Sequence, residues 1–220
     1  SPFNDSEEVI TGGLEDLNER CAEYAAIGAK FTKWRAVIKI GNDIPTQECI
    51  DANMKALADY AKIVQNNNMV PIVEPEVLMD GEHSAQSCFE ATANCLKTLF
   101  SMLDANDVNL KGTILKPNMV VSGTDAPIQA SVSEVAELTL KVLKENVPSD
   151  LAGIAFLSGG QPDLLATEHL DAMNKIGGLS SPLSFSYGRA LQQPALKAWM
   201  GQLDNKAVSY THLRAHETRI

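Results

Sequence analysis

The chain has 220 residues, 45% apolar and 21% charged, which suits an ordinary globular protein of one large or two small domains with a sizeable core. A formal net charge of −10 repels phosphate backbones and anionic lipid, arguing against nucleic acid or a membrane as partner but not against a local cationic pocket for a small anion. No apolar run approaches the ~18 residues of a membrane span, and the N-terminal SPFNDSEEV has the pattern of neither a signal nor a transit peptide.

Taken in chain order, LEDLNERCAEYAAIGAK predicts a helix, and no convincing strand precedes Phe31. FTKWRAVIKI carries a strand over residues 36–40, with Lys33 and Arg35 just before it. Residues 46–67 predict a helix starting at Pro45–Thr46, with Ile50, Leu57, Ala61 and Val64 on one face. A strand over 70–73 runs into Glu74-Pro75-Glu76, and a helix over 84–103 places Cys88, Cys95, Leu99 and Leu103 in its stripe. The four cysteines show no C-x-x-C spacing, which predicts structural burial and a reducing, cytosolic compartment.

Next come a strand over 113–116 ending on Lys116-Pro117 and a helix over 131–148 opened by the capping box Ser131-x-x-Glu134. A strand over 154–157 leads to Ser158-Gly159-Gly160, and a helix over 162–178 stops at Gly177–Gly178. The last strand, over 183–186, sits in SFSYGR. Strand centres recur roughly every 30 to 45 residues, each followed by a helix, as repeated βα units require. The Ile-, Val- and Leu-rich strands read as buried on both faces of a parallel sheet. An open doubly wound sheet gathers function at one Gly-rich first turn, and no G-x-G-x-x-G occurs here. Polar groups lie at or near all five strands instead, which favours a (β/α)8 barrel whose strand ends converge. Eight units need about 250 residues, so the reading is an incomplete α/β TIM barrel with about five of its eight βα units.

Singly, the charged groups admit plain readings. Lys116 reads as a lysine snorkelling to water, Lys33 and Arg35 as a solvated strand start, and Glu74 and Glu76 as an acidic loop. The Ser/Gly/Arg turns read as tight connections. Together they suggest a reaction. A neutral lysine attacks a ketone, nearby cations (Lys33, Arg35) and desolvation favour the neutral amine, and Glu74 helps to expel water. The resulting iminium withdraws electrons from the adjacent carbon–carbon bond. Ser158, Gly159 and Gly160 with Ser186, Gly188 and Arg189 offer donors for a phosphate. That is Schiff-base lyase chemistry on a phosphorylated sugar.

FTKWRAVIKI, VPIVEPEVL, GTILKPNMV, GIAFLSGGQ and LSFSYGRALQQPALKAWMG resemble class I fructose-1,6-bisphosphate aldolase, in the same order and at similar intervals, over residues 15–207. The resemblance implies reversible cleavage of fructose 1,6-bisphosphate to dihydroxyacetone phosphate and glyceraldehyde 3-phosphate, with no metal or other cofactor. It also implies a glycolytic, cytoplasmic homotetramer for the full-length parent. By it Lys116 is the Schiff-base lysine, Glu74 the main acid/base and Glu76 and Lys33 its assistants. Arg35 then contacts substrate, and Ser158, Gly159, Gly160, Ser186, Gly188 and Arg189 bind the ketose phosphate end.

Two departures follow. The family's first three strands, with an active-site aspartate and lysine, have no counterpart in this chain. From Val208 the likeness stops, and VSYTHLRAHETRI, which holds two of the chain's four histidines, looks non-native. The expected division is therefore a partial barrel over 1–207 and a tail over 208–220. The family's terminal tyrosine is missing, and Tyr210 does not replace it. His212 and His216 have zinc-pair spacing but no further ligands. The fragment alone is expected to be inactive, with open sheet edges prone to association. A metal-dependent aldolase would need clustered histidines, and only His83 and His169 lie outside the tail. A non-catalytic interaction protein on a retained aldolase scaffold is the alternative from another class.

Overall fold

A computed structural model describes residues 1–4 and 6–214. It contains one five-stranded parallel sheet whose spatial order is the chain order. The strands are β1 (Phe31–Ile38), β2 (Val70–Val77), β3 (Ile114–Leu115), β4 (Gly153–Phe156) and β5 (Leu183–Phe185). Helices α1 (Leu17–Ala26), α2 (Gln47–Asn66), α3 (Ala85–Ala105), α4 (Val132–Asn146), α5 (Asp163–Ile176), α6 (Arg189–Trp199) and α7 (Lys206–Arg214) alternate with or follow them.

Sequential order decides the architecture. A right-handed crossover between each adjacent parallel pair puts every connecting helix on the same face. A doubly wound sheet reverses its order and carries helices on both faces, and no reversal occurs among the five strands. The sheet is therefore a five-unit stretch of (β/α)8 barrel wall, and β1 and β5 each pair on one side only.

Strand alternation divides the side chains. Trp34, Ala36, Ile38, Val73, Leu115, Ile154 and Phe156 are all buried and share the helix-facing side through the register Trp34↔Val73↔Leu115↔Ile154. They join Met54, Leu57, Leu96, Leu99, Leu140 and Leu143 in one core. The opposite side carries Lys33, Arg35, Glu74, Glu76 and Lys116. Burial on both faces thus fails for β1, where exposed Lys33 and Arg35 alternate with buried Trp34 and Ala36.

Helix ends follow local chemistry. Thr46 Oγ1 accepts from Cys49 N–H (3.2 Å) at the start of α2, and Ser84 caps α3 in the same way. Buried Glu8 in turn accepts from Thr46 N–H and its hydroxyl, both at 2.7 Å, which ties the N-terminal segment to α2. At α4 the Ser131 half of the capping box forms, with Glu134 N–H donating at 3.3 Å. Helix α5 ends at Gly177 (φ 65°), as the Gly-Gly pair predicts. All four cysteines are buried free thiols. No helix among the described residues is long and apolar enough to cross a membrane.

Candidate active site

Strand β2 runs on through Pro75, so Glu74 and Glu76 are strand residues rather than an acidic loop. Likewise β1 begins at Phe31, five residues before the sequence places it, so Lys33 and Arg35 lie within the sheet. Registers Lys33↔Ile72 and Arg35↔Glu74 put both cations on the face of the two glutamates. Lys116 follows β3 on the same face, and its N–H donates to Val73 O at 2.8 Å.

The charges meet at Glu74, which is 3% exposed. Its Oε1 lies 3.1 Å from Lys116 Nζ, and its Oε2 lies 2.8 Å from Lys33 Nζ. The Lys33 contact falls outside hydrogen-bonding direction and acts as a charge contact. Arg35 Nε donates to Glu76 Oε2, a bond that holds the guanidinium protonated more firmly still. Lys116 has a side chain only 13% exposed, against 42% for Lys33. Of the three cations on this face, Lys116 is the enclosed one.

Prolines interrupt the ladder at this point. Pro75 and Pro117 have no N–H, and the paired part of β3 is two residues long. Asn118 replaces the lost pairing from its side chain. Its Oδ1 accepts from Val77 N–H (3.0 Å), and its Nδ2 donates to Thr92 Oγ1 (3.0 Å) and Met119 O (3.1 Å). A buried amide thus fixes the end of β2 against the segment after Lys116. The sequence reading missed it, although a polar residue between Pro117 and the apolar run Met119–Val121 was visible.

Ser158, Gly159 and Gly160 form a turn just beyond β4, closed by Gln161 N–H donating to Ser158 O at 3.0 Å. Both glycines have positive φ, 63° and 102°, which favours glycine at each. Ser186 N–H donates to Phe156 O (2.9 Å), bringing the end of β5 beside β4. Gly188 caps α6, whose first residue is Arg189. A Cβ at Gly160 would lie 3.4 Å from Arg189 Nη2 and 3.7 Å from Met79 Sδ. The two turns therefore adjoin, and Met79 from the loop after β2 rests over them. At ~5 Å per strand, the turns stand about one and two strand spacings from Lys116.

His169 is buried on α5, its Nδ1 2.7 Å from Gln161 Oε1. Burial lowers the pKa of His169, and also that of His83 in the loop after β2, where Asp80 opposes the shift. The unfolded chain takes up these protons near pH 6.5 while the folded chain resists them. Stability is then full above pH 6.5 and falls as pH drops toward the depressed folded values, by at most about 1.4 kcal/mol per pH unit per histidine. Urea unfolding should show a lower midpoint at pH 5.5 than at pH 7.5, and His169→Leu should flatten that difference. An equal or higher midpoint at pH 5.5 contradicts the sign. His216 of the His212/His216 pair lies outside the described residues.

The family model for class-I fructose-bisphosphate aldolase, described as glycolytic, matches residues 2–218, which continues beyond Ala207 into the C-terminal segment. A probable class 1 fructose-bisphosphate aldolase of Xylella fastidiosa is 52% identical over 213 residues, covering 96% of this chain and 64% of that protein. The cytosolic fructose-bisphosphate aldolase 5 of Arabidopsis thaliana is 49% identical, over 91% of this chain and 56% of its own length. A crystal structure of the Plasmodium falciparum aldolase superposes with a TM-score of 0.94 at 42% identity, covering 96% of this chain and 62% of that one. The chain thus spans somewhat less than two thirds of the curated relatives it matches. Along almost all of its own length it keeps their sequence and their fold, and it belongs to the class-I fructose-bisphosphate aldolase family.

Proposed function

We propose that the full-length parent of this chain is a Schiff-base-forming aldolase that cleaves fructose 1,6-bisphosphate reversibly to dihydroxyacetone phosphate and glyceraldehyde 3-phosphate, and that the 220 residues alone form the imine without completing the cleavage. The observation that carries this reading is the enclosed Lys116 Nζ, 3.1 Å from the buried Glu74 carboxylate, on strands adjacent to two Ser/Gly turns and Arg189. The amine attacks only after giving up a proton, and Glu74 Oε1 is within reach to take it. Nitrogen then bonds to the ketone carbon, the carbonyl oxygen becomes a hydroxyl, and Glu74 returns a proton as that group departs as water. Glu74, ionised again, takes the proton of the hydroxyl on the departing carbon, which becomes the aldehyde as the iminium accepts the electron pair of the breaking carbon–carbon bond. Lys33 holds the other Glu74 oxygen, Arg35 and Glu76 flank the sugar, and the Ser158–Gly160 and Ser186–Arg189 turns receive the ketose phosphate. The glycolytic, cytoplasmic homotetramer goes with this reading.

Dihydroxyacetone phosphate followed by borohydride tests it. Mass spectrometry of the 220-residue chain should find one reduced adduct, on the peptide containing Lys116. Lys116→Met should abolish the adduct while leaving the circular dichroism spectrum unchanged. An adduct of equal yield in that variant sinks the reading.

A further inference from the structure

Nothing in the proposed chemistry accounts for His169, the single buried polar side chain of α5. The other buried residues of that helix are Ala166, Leu170 and Met173. An apolar residue would fill the same space without the orphaned Nε2, which is buried and has no hydrogen-bond partner. The ring's other nitrogen explains its presence. Gln161 Nε2 donates to Ser158 O (3.1 Å), the same oxygen that accepts from Gln161 N–H at 3.0 Å. With its nitrogen end so committed, Gln161 presents its oxygen to the ring, and His169 Nδ1 must carry the proton of the 2.7 Å bond. Burial keeps the imidazole neutral, which suits that single-donor role.

We propose that His169 is a positioning residue that acts through Gln161 to lock the turn over Ser158, Gly159 and Gly160 in its phosphate-receiving shape. Ser158 O is held twice, so the two glycines, both at positive φ, cannot relax to ordinary backbone conformations without breaking a bond. Among the described residues the Gly159 and Gly160 N–H groups donate to no protein acceptor, which leaves them for an anion. The ligand class is thus a dianionic phosphate, and this inference rests on the reading of the turn given above. Removing the Nδ1–H leaves a buried Gln161 oxygen unsatisfied, an effect worth roughly tenfold in any equilibrium that needs the turn intact.

The test uses the 15N-labelled 220-residue chain and inorganic phosphate. Long-range imidazole spectra of the unsubstituted protein should show the Nδ1–H tautomer at His169. Phosphate should shift the Gly159 and Gly160 amide signals. His169→Leu keeps the apolar packing but has no donor, and its phosphate dissociation constant should rise about tenfold. His169→Asn sets an amide nitrogen near the position of Nδ1 and should restore binding to within about threefold. An Nε2–H tautomer, equal phosphate affinity in His169→Leu, or glycine amides indifferent to phosphate in the unsubstituted chain would each overturn the proposal. The borohydride adduct at Lys116 reads the aldolase function separately. If no adduct forms while phosphate binding still depends on His169, the positioning role stands and the aldolase reading fails.

Discussion

Glu74→Gln should slow adduct formation between Lys116 and dihydroxyacetone phosphate by about 100- to 10,000-fold, the usual contribution of a positioned proton donor and acceptor. The substitution keeps the shape of the side chain and removes its capacity to exchange a proton. It also removes the carboxylate shared by two ammonium groups, Lys116 at 3.1 Å and Lys33 at 2.8 Å. Lys33 is 42% exposed and can turn to water, so its loss of partner costs little. Lys116, at 13%, has less freedom, and its proton exchange with the carboxylate 3.1 Å away is lost. The loss should therefore appear in the rate of trapping at saturating ketose phosphate. Phosphate affinity at the Gly159–Gly160 turn, read by the amide shifts, should stay within about twofold because no contact there involves Glu74. Trapping at the unsubstituted rate would assign the proton transfers to another group, with Glu76 the nearest remaining carboxylate on that face.

How much of this was legible in the sequence depends on which force shaped each segment. Helices α2 to α5 announce themselves because one apolar face must cover the sheet, and their starts at Thr46, Ser84 and Ser131 are set by side chains adjacent in sequence. The barrel order was legible for a similar reason, since charges at successive strand ends need converging ends. Boundaries were less so. β1 extends back to Phe31 because Lys33 and Arg35 face the open side of the sheet, where a charge is compatible with a strand. β2 passes through Pro75 because the Asn118 side chain accepts from Val77 N–H and so holds the strand to its neighbour beyond the proline. Helix α6 was expected only as the helix after the last strand, without bounds, because Pro194 within it disguises the pattern. Helix α7 falls in the segment read as foreign, where composition obscured the helical spacing. In the site, Lys116, Glu74 and the turns were visible as residue types in odd places. Asn118, Gln161 and His169 were not, because each acts through partners fixed only by the fold, such as Gln161 and His169 meeting eight residues apart around the start of α5.

Gly123→Ala should destabilise the protein by about 2–4 kcal/mol, although glycine there has no unusual backbone angle to require it. The reason is proximity. A Cβ at Gly123 would stand 2.2 Å from Gly81 O, 2.7 Å from Gly81 C and 3.0 Å from His83 N. All three are backbone atoms, so no flexible side chain can swing away. The loops after β2 and β3 are joined at this point by Gly123 N–H to His83 O (2.8 Å), Thr124 N–H to Met79 O (2.7 Å) and Asp125 N–H to Gly81 O (2.9 Å). Each is worth about 0.5–1.5 kcal/mol net, and forcing the loops apart puts all three at risk. Gly12→Ala is the control, since a Cβ there meets nothing within 4 Å, and it should stay within about 0.5 kcal/mol of the parent. The consequence reaches the site through Met79, whose Sδ lies 3.7 Å from the Cβ positions of both Gly159 and Gly160. A displaced loop shifts Met79 against the turn, so weaker phosphate binding should accompany the lower urea midpoint. Unfolding at the parental midpoint, with the Thr124 and Asp125 amides still protected from hydrogen exchange, would show that the two loops have room the distances deny.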